Sequence, residues 1–302
     1  MPGSPKETPM GRPSVPAAER LIGVHRPVLE HGFVALVDYM GDDSAIVQAA
    51  RVSYGKGTKS VRDDRGLIRY LLRHRHTTPF EMVEFKFLAR MPIYIARQWI
   101  RHRSASVNEY SARYSVVPDE FDLPEAERIR AQSTRNRQGR GEPLPGPAVA
   151  QFRSELERLQ KESYAAYQDA LTAGVARETA RLVLPLSTYT QWYWKIDLWN
   201  LFHFLSLRLD PHAQEEIRLY AAELAALAKL VVPVAFEAFE EYTLSGLLLS
   251  QREQTAVRAL LGGASVTDAC ALAELPLNKE DGTPMRTGEG VEFLEKLTRL
   301  RG

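Results

Sequence analysis

Residues 82–115 read MVEFKFLARMPIYIARQWIRHRSASVNEYSARYS, and the pattern changes twice along them. The first part alternates, Val83, Phe85, Phe87 and Ala89 standing against Glu84, Lys86 and Leu88, which is the period of a half-buried strand. Pro92 suits the first position of a following helix. That helix, IYIARQWIRHR, places Gln98, Arg101 and His102 on one face by the i, i+3, i+4 rule. From Arg101 to Ser115 apolar side chains almost vanish, with four serines and three arginines in fifteen residues. Ser, Val and Asn are weak helix formers, so the helix is expected to fray near Ser104. Arg101, His102 and Arg103 then fall in its last turn, and Ser111 and Arg113 on the loop beyond. Hydroxyls, amides and guanidinium groups converging there make an anion cradle suited to phosphate. Spacing alone equally allows a solvated helix end whose cations complement the macrodipole.

Outward from this stretch, GFVALVDYM (32–40) and STYTQWYWKID (187–197) read as further strands. SAIVQAARVS (44–53), SVRDDRGLIRYLLRHRH (60–76), residues 148–173, 176–181 and the run from Pro211 read as helices. DLWNLFHFLSLRL follows the second of those strands as a helix with Asp197 near its N-cap. STRNRQGRGEPLPGPA (133–148) reads as a loop, and short helical pieces follow residue 250. The expected class is α+β, helices with a modest antiparallel sheet.

The 302 residues are 44% hydrophobic and 25% charged, with mean hydropathy −0.29, the profile of a soluble globular chain. No apolar run approaches the roughly 18 residues of a membrane span. Five prolines among the first eighteen residues suggest a disordered leader over 1–19. Cys270 is the only cysteine, so neither an internal disulfide nor a cysteine metal cluster can form, and a cytoplasmic location is expected. A net charge of +1 argues against a general nucleic-acid or membrane binder. Thirty arginines against nine lysines reflect either GC-rich codons or recognition of phosphates and carboxylates.

Arg101, His102, Arg103, Ser106, Asn108, Glu109, Ser111, Arg113 and Tyr114 fill the fixed positions of RHRxxSxNExSxRY. In this the chain resembles the ThyX-type flavin-dependent thymidylate synthases. HTTPFE (76–81), ARQWIRHR (96–103), ARLVLPLSTYTQWYWKID (180–197) and LRLDPHAQEEI (207–217) resemble the same family, which accounts for roughly residues 20 to 245. The resemblance implies a synthase domain over 20–250, a helical extension over 251–302, and a homotetramer whose sites draw on several subunits. It also implies conversion of dUMP to dTMP, with methylenetetrahydrofolate supplying carbon and FAD, reduced by NADPH, supplying hydride. No metal, membrane or nucleic-acid partner is implied.

For FAD the family pattern carries Thr78, Arg101, His102, Arg103, Glu109, the segment Asp197, Leu198 and Trp199, and His203. For dUMP it carries Gln98, Trp99, Ile100, Arg101, Glu109, Tyr110, Ser111, Ala112, Arg113, Arg181 and Arg208. His76 and His212 are implied to lie near the flavin and folate. Arg208 is the expected catalytic residue: a guanidinium at the N3/O4 edge of uracil favours the N3-deprotonated, polarised ring and so assists attack from C5. Without the resemblance, Arg208 reads as a surface partner of Asp210. Ser111 is assigned to phosphate, because no base lies in its motif. A cysteine nucleophile is not expected, since Cys270 lies outside the matching region. Trp199 stands where the family usually offers a polar or basic side chain, Asp197 where asparagine is also common, and Ala112 where glycine often occurs, which matters if that backbone needs φ > 0. A nucleotide- or RNA-binding module without chemistry, and a flavoprotein with another acceptor, remain open on the sequence.

Overall fold

The computed structural model describes residues 12–52, 64–133 and 139–301. They form two compact units, one made of the chain up to Gln132 with Gly139–Leu244, the other essentially Ser245 onward.

The main sheet of the first unit is built from β1 (Arg26–Val28), β2 (Gly32–Met40), β3 (Glu84–Pro92), β4 (Ser106–Glu109) and β7 (Tyr189–Asp197). These five strands run in the order β1-β2-β3-β7-β4, antiparallel throughout. The alternation read in the sequence is borne out: Phe85, Phe87 and Ala89 pair with Ile196, Trp194 and Trp192, and all six side chains are buried. The opposite face carries Glu84, Lys86, Tyr193 and Lys195 toward solvent, with Lys195 on Glu84 at 2.6 Å. Around the sheet lie α1 (Pro16–Glu19), α2 (Asp43–Val52), α3 (Asp64–Arg73), α4 (Ile93–Trp99), α5 (Gly146–Thr172), α6 (Arg177–Ala180), α7 (Leu198–Arg208), α8 (Glu215–Val231) and α9 (Pro233–Phe239). The apolar faces of α1–α4 and α7–α9 join one core, in which Trp99 is packed by Trp192, Trp194, Phe204 and Tyr220, while Tyr167 of α5 and Ala180 of α6 form a smaller cluster with Val117. Gly32 is required where it stands, because a Cβ there meets Tyr220 Oη at 2.0 Å and the Val28 carbonyl at 2.5 Å.

Several boundaries differ from expectation. Residues 16–19 form α1, with Ala18 fully buried and Tyr39 Oη accepting from the Val15 N–H, so this part of the leader is built into the fold. Residues 1–11 lie outside the described residues, as do 53, 60–63 and 134–138 of the expected helices and loop. Arg140–Pro143 is a strand, β6, paired with β5 (Arg130–Gln132), within what reads as a loop. α8 starts at Glu215, because 210–213 form a turn closed by Ala213 N–H on the Asp210 carbonyl at 2.9 Å.

The second unit holds α10 (Gln251–Leu261), α11 (Val266–Leu272) and α12 (Glu289–Arg301) around Ala256, Ala269, Cys270, Leu275 and Phe293. Ser250 and Glu253 form a reciprocal capping box, and Lys296 reaches the Glu253 carboxylate at 2.7 Å.

Candidate active site

α4 ends at Trp99, earlier than its sequence suggests, and the chain turns at Arg101 before pairing as β4 along β7. Arg101, His102 and Arg103 therefore stand on a turn between helix and strand rather than in a last helical turn. Ser106–Glu109 supplies an edge strand where a loop is expected. Packing of Val107 opposite Trp194 is available only once β7 is in place, so local propensity does not reveal it.

The turn meets α7. Arg101, His102, Arg103, Ser104, Ile196, Asn200, His203, Leu207 and Arg208 line one cleft of about 480 Å³. Arg208 donates through Nε to His102 Nε2 at 3.0 Å and through Nη2 to the Gln98 carbonyl at 3.4 Å. The Asp210 partner considered for Arg208 is taken instead by His212, whose N–H and Nδ1 both lie 2.8 Å from Asp210 Oδ1. The His102 ring stands edge-on to Phe204 with centroids 4.8 Å apart, and 5.7 Å from His203. Burial, then the Arg208 cation and His203, depress the His102 pKa to about 4. Burial lowers that of Arg208 from its ordinary value.

A second group gathers beyond the end of β4. Glu109 accepts from Thr190 Oγ1 at 2.6 Å, and the Tyr110 N–H at the end of β4 donates to the Gln191 carbonyl at 2.8 Å. The Ser111 carbonyl takes the Tyr114 N–H at 3.0 Å, while Ser111 Oγ takes the Arg113 N–H at 3.3 Å. Arg113 reaches the Glu178 carboxylate at 3.1 Å, and Arg181 Nε the Glu178 carbonyl at 3.4 Å. Arg113 and Arg181 thus meet at Glu178, with Ser111 bonded to the main chain of Arg113, apart from the lining of the first cleft.

Other expected residues sit elsewhere. Trp99 is fully buried in the aromatic core and offers its side chain to no ligand; Ile100 is exposed. Asp197 spends its carboxylate capping α7, accepting Asn200 N–H at 2.9 Å and Nδ2 at 2.7 Å. This is the cap read in the sequence, and it is worth about 0.5–2 kcal/mol. Leu198 is buried and Trp199 packs on Phe80 in the core, so of this helix start it is Asn200, not foreseen in the sequence, that lines the cleft. Ala112 packs beside Val117 and Tyr167 without a positive φ, so the missing glycine costs no strain. His76 follows α3 with its ring 6.0 Å from Tyr70, and Thr78 sits in the turn before Phe80; neither lines the cleft.

The family described as Thy1, thymidylate synthase complementing protein, matches residues 35–234. A flavin-dependent thymidylate synthase of Gluconobacter oxydans is 55% identical over 259 residues, spanning 85% of this chain and 86% of that one. The chain belongs to the flavin-dependent thymidylate synthase family. Within that family an enzyme of Thermus thermophilus is 59% identical over 236 residues, covering 78% of this chain and 85% of its own. Among solved structures, the UMP/dUMP methylase PolB of Streptomyces cacaoi, bound with 5-Br dUMP, superposes with a TM-score of 0.66 at 36% identity. It covers 72% of this chain and 99% of the PolB chain. This flavin-dependent thymidylate synthase family member is therefore an enzyme of the methyltransferase class, on a mixed helix and antiparallel-sheet scaffold.

Proposed function

We propose that the protein converts dUMP to dTMP in dTTP biosynthesis, with methylenetetrahydrofolate as carbon donor and NADPH-reduced FAD as hydride donor. The observation that carries this reading is the bonding of Arg208 to His102 and to the Gln98 carbonyl at a cleft whose other polar lining is Arg101, Arg103, Ser104, Asn200 and His203. Such a donor set fits a flavin dinucleotide: Arg101 and Arg103 would neutralise a diphosphate, and His203 and Asn200 would offer hydrogen bonds to its polar edges. Bound and reduced, FAD supplies the hydride.

The remaining steps belong to the side chains. His102, held neutral, leaves its Nε2 lone pair to Arg208 and so fixes the guanidinium plane. Arg208 Nη1 takes part in neither of its two bonds and is available to the O4 edge of a pyrimidine. A cation there stabilises charge pushed onto N3 and O4 as C5 and C6 react. Ser111, Arg113 and Arg181 form the dianion pocket, with Arg113 exchanging the Glu178 carboxylate for phosphate.

Assembly as a homotetramer completes this reading. The cleft and the Ser111 group are distinct within one copy, and β4 is an edge strand with all four residues exposed. α5 buries only Val149, Gln160 and Tyr167 of its 27 residues and leaves Phe152 and Leu159 exposed, surface of the kind subunit contacts cover. A cytoplasmic location fits a chain in which no described helix is long and apolar enough to cross a membrane.

The likeness to a UMP/dUMP methylase raises a second reading, in which UMP is also methylated. The test is product formation from dUMP and from UMP under identical conditions. Conversion of dUMP alone supports the reading; conversion of UMP at equal efficiency replaces it with a less selective methylase.

A further inference from the structure

A cavity of about 440 Å³ lies between α4, α5, the start of α8 and the β5–β6 pair, and none of its lining residues lines the Arg208–His102 cleft. Its walls are apolar, formed by Pro124, Ile129, Leu144, Phe152 and Leu156. Its charged lining is a linked set. Asp122, buried, accepts from Tyr94 Oη at 2.7 Å and from Arg128 Nη2 at 3.3 Å. Glu216, whose side chain is 2% exposed, accepts on Oε1 from Arg128 Nη1 at 3.3 Å and from Arg140 Nη2. Arg140 Nη1 continues to Glu215 at 3.0 Å. The second oxygen of Glu216, Oε2, is buried without a hydrogen-bond partner among the described residues.

A buried carboxylate oxygen left unbonded costs free energy that an N–H donor recovers. Burial alone would raise the Glu216 pKa, but Arg140, the residue's own N–H and Gln214 hold it below the ordinary value, so the group is an anion. The three carboxylates and two guanidinium groups of the set leave one negative charge in excess. Arg130 also lines the cavity but is exposed, where water and salt screen its charge. Apolar walls around a few polar groups, in a volume of this size, are the make-up of a small-molecule site. We propose that this cavity is a second ligand site, which takes a small flat cation of the amidine type. Its apolar body lies against Ile129, Leu144 and Leu156, and one of its N–H groups donates to Glu216 Oε2. None of these residues enters the reaction at the Arg208 cleft, so the site is distinct from the one that turns over substrate.

The probe is benzamidine, with benzamide and benzoate as its neutral and anionic counterparts. Each is titrated into the full chain by ligand-observed NMR, first alone and then with FAD and dUMP in excess. Glu216→Gln keeps an oxygen for the two guanidinium groups, which only donate, and so places its amino group where Oε2 stood. Leu156→Ala shortens a wall on α5 and leaves the charged set intact, so it decides the matter if the glutamine variant does not fold. Benzamidine is expected to bind wild type about tenfold or more tightly than either counterpart, whether or not FAD and dUMP are present. Its affinity should fall about tenfold in Glu216→Gln and about fivefold in Leu156→Ala. No binding of benzamidine, equal binding of all three probes, or wild-type affinity in the folded variants overturns the proposal. Displacement of benzamidine by FAD or dUMP overturns it too, because that result puts the probe in the Arg208 cleft.

Discussion

Arg208 Nε and His102 Nε2 lie 3.0 Å apart, a bond that requires the imidazole to be neutral and its lone pair to face the guanidinium. A residue at the end of α7 and one on the turn after α4 are thereby locked to each other across 106 positions of sequence. The bond explains why Arg208 faces the cleft rather than Asp210. It also ties the orientation of the guanidinium to the protonation state of one histidine.

If Arg208 stabilises charge on the pyrimidine, Arg208→Ala removes most dTMP formation, by about 10²–10³-fold. Arg101, Arg103 and His203 remain to hold the dinucleotide, so flavin absorbance should persist in the purified variant. Full turnover in this variant removes the catalytic assignment.

His102 also has a pH signature. Its pKa in the folded chain, about 4, lies below the ordinary 6.5, so between these values the unfolded chain binds the extra proton. Stability from this residue is complete above pH 6.5 and is lost as pH falls toward 4, where the folded form protonates as well. Thermal midpoints of wild type and His102→Gln, compared from about pH 7.5 to 4, should converge as the pH drops. Parallel curves contradict the depressed pKa.

Ser111 Oγ is occupied by the Arg113 N–H, and its carbonyl organises the turn to Tyr114. Ser111→Ala is therefore expected to weaken dUMP binding about five- to tenfold and leave measurable turnover. A variant with normal dUMP affinity and no turnover would instead point to a nucleophilic serine.

The core offers a prediction free of the chemistry. Gly32→Ala forces a methyl group into Tyr220 Oη and two backbone carbonyls, so the variant should lose about 1–3 kcal/mol in denaturant unfolding. An unchanged midpoint contradicts the packing described for β2 against α8.

The parts of this fold legible in the sequence are those set by short-range periodicity. β2 and β3, the helix after Asp197 and the capping role of Asp197 follow from alternation or a cap residue. What eludes such reading depends on partners far along the chain. β4 is four residues of mediocre strand formers, aligned only because β7, a distant segment of sequence, lies alongside. α4 ends at Trp99, where the His102 N–H closes a turn on the Trp99 carbonyl and leads the chain toward its pairing with β7. The same applies to the site. Motif positions identify Arg101 to Arg103, His203 and Arg208, which do converge. Only the fold reveals that Trp199 packs against the core while Asn200 faces the cleft.

The central claim is met most directly by following dTMP formation from dUMP with methylenetetrahydrofolate and NADPH, with and without added FAD, using apoprotein whose fold is verified beforehand. The account predicts product that depends on FAD and is lost in Arg208→Ala. Folded protein that takes up FAD yet yields no dTMP would contradict it.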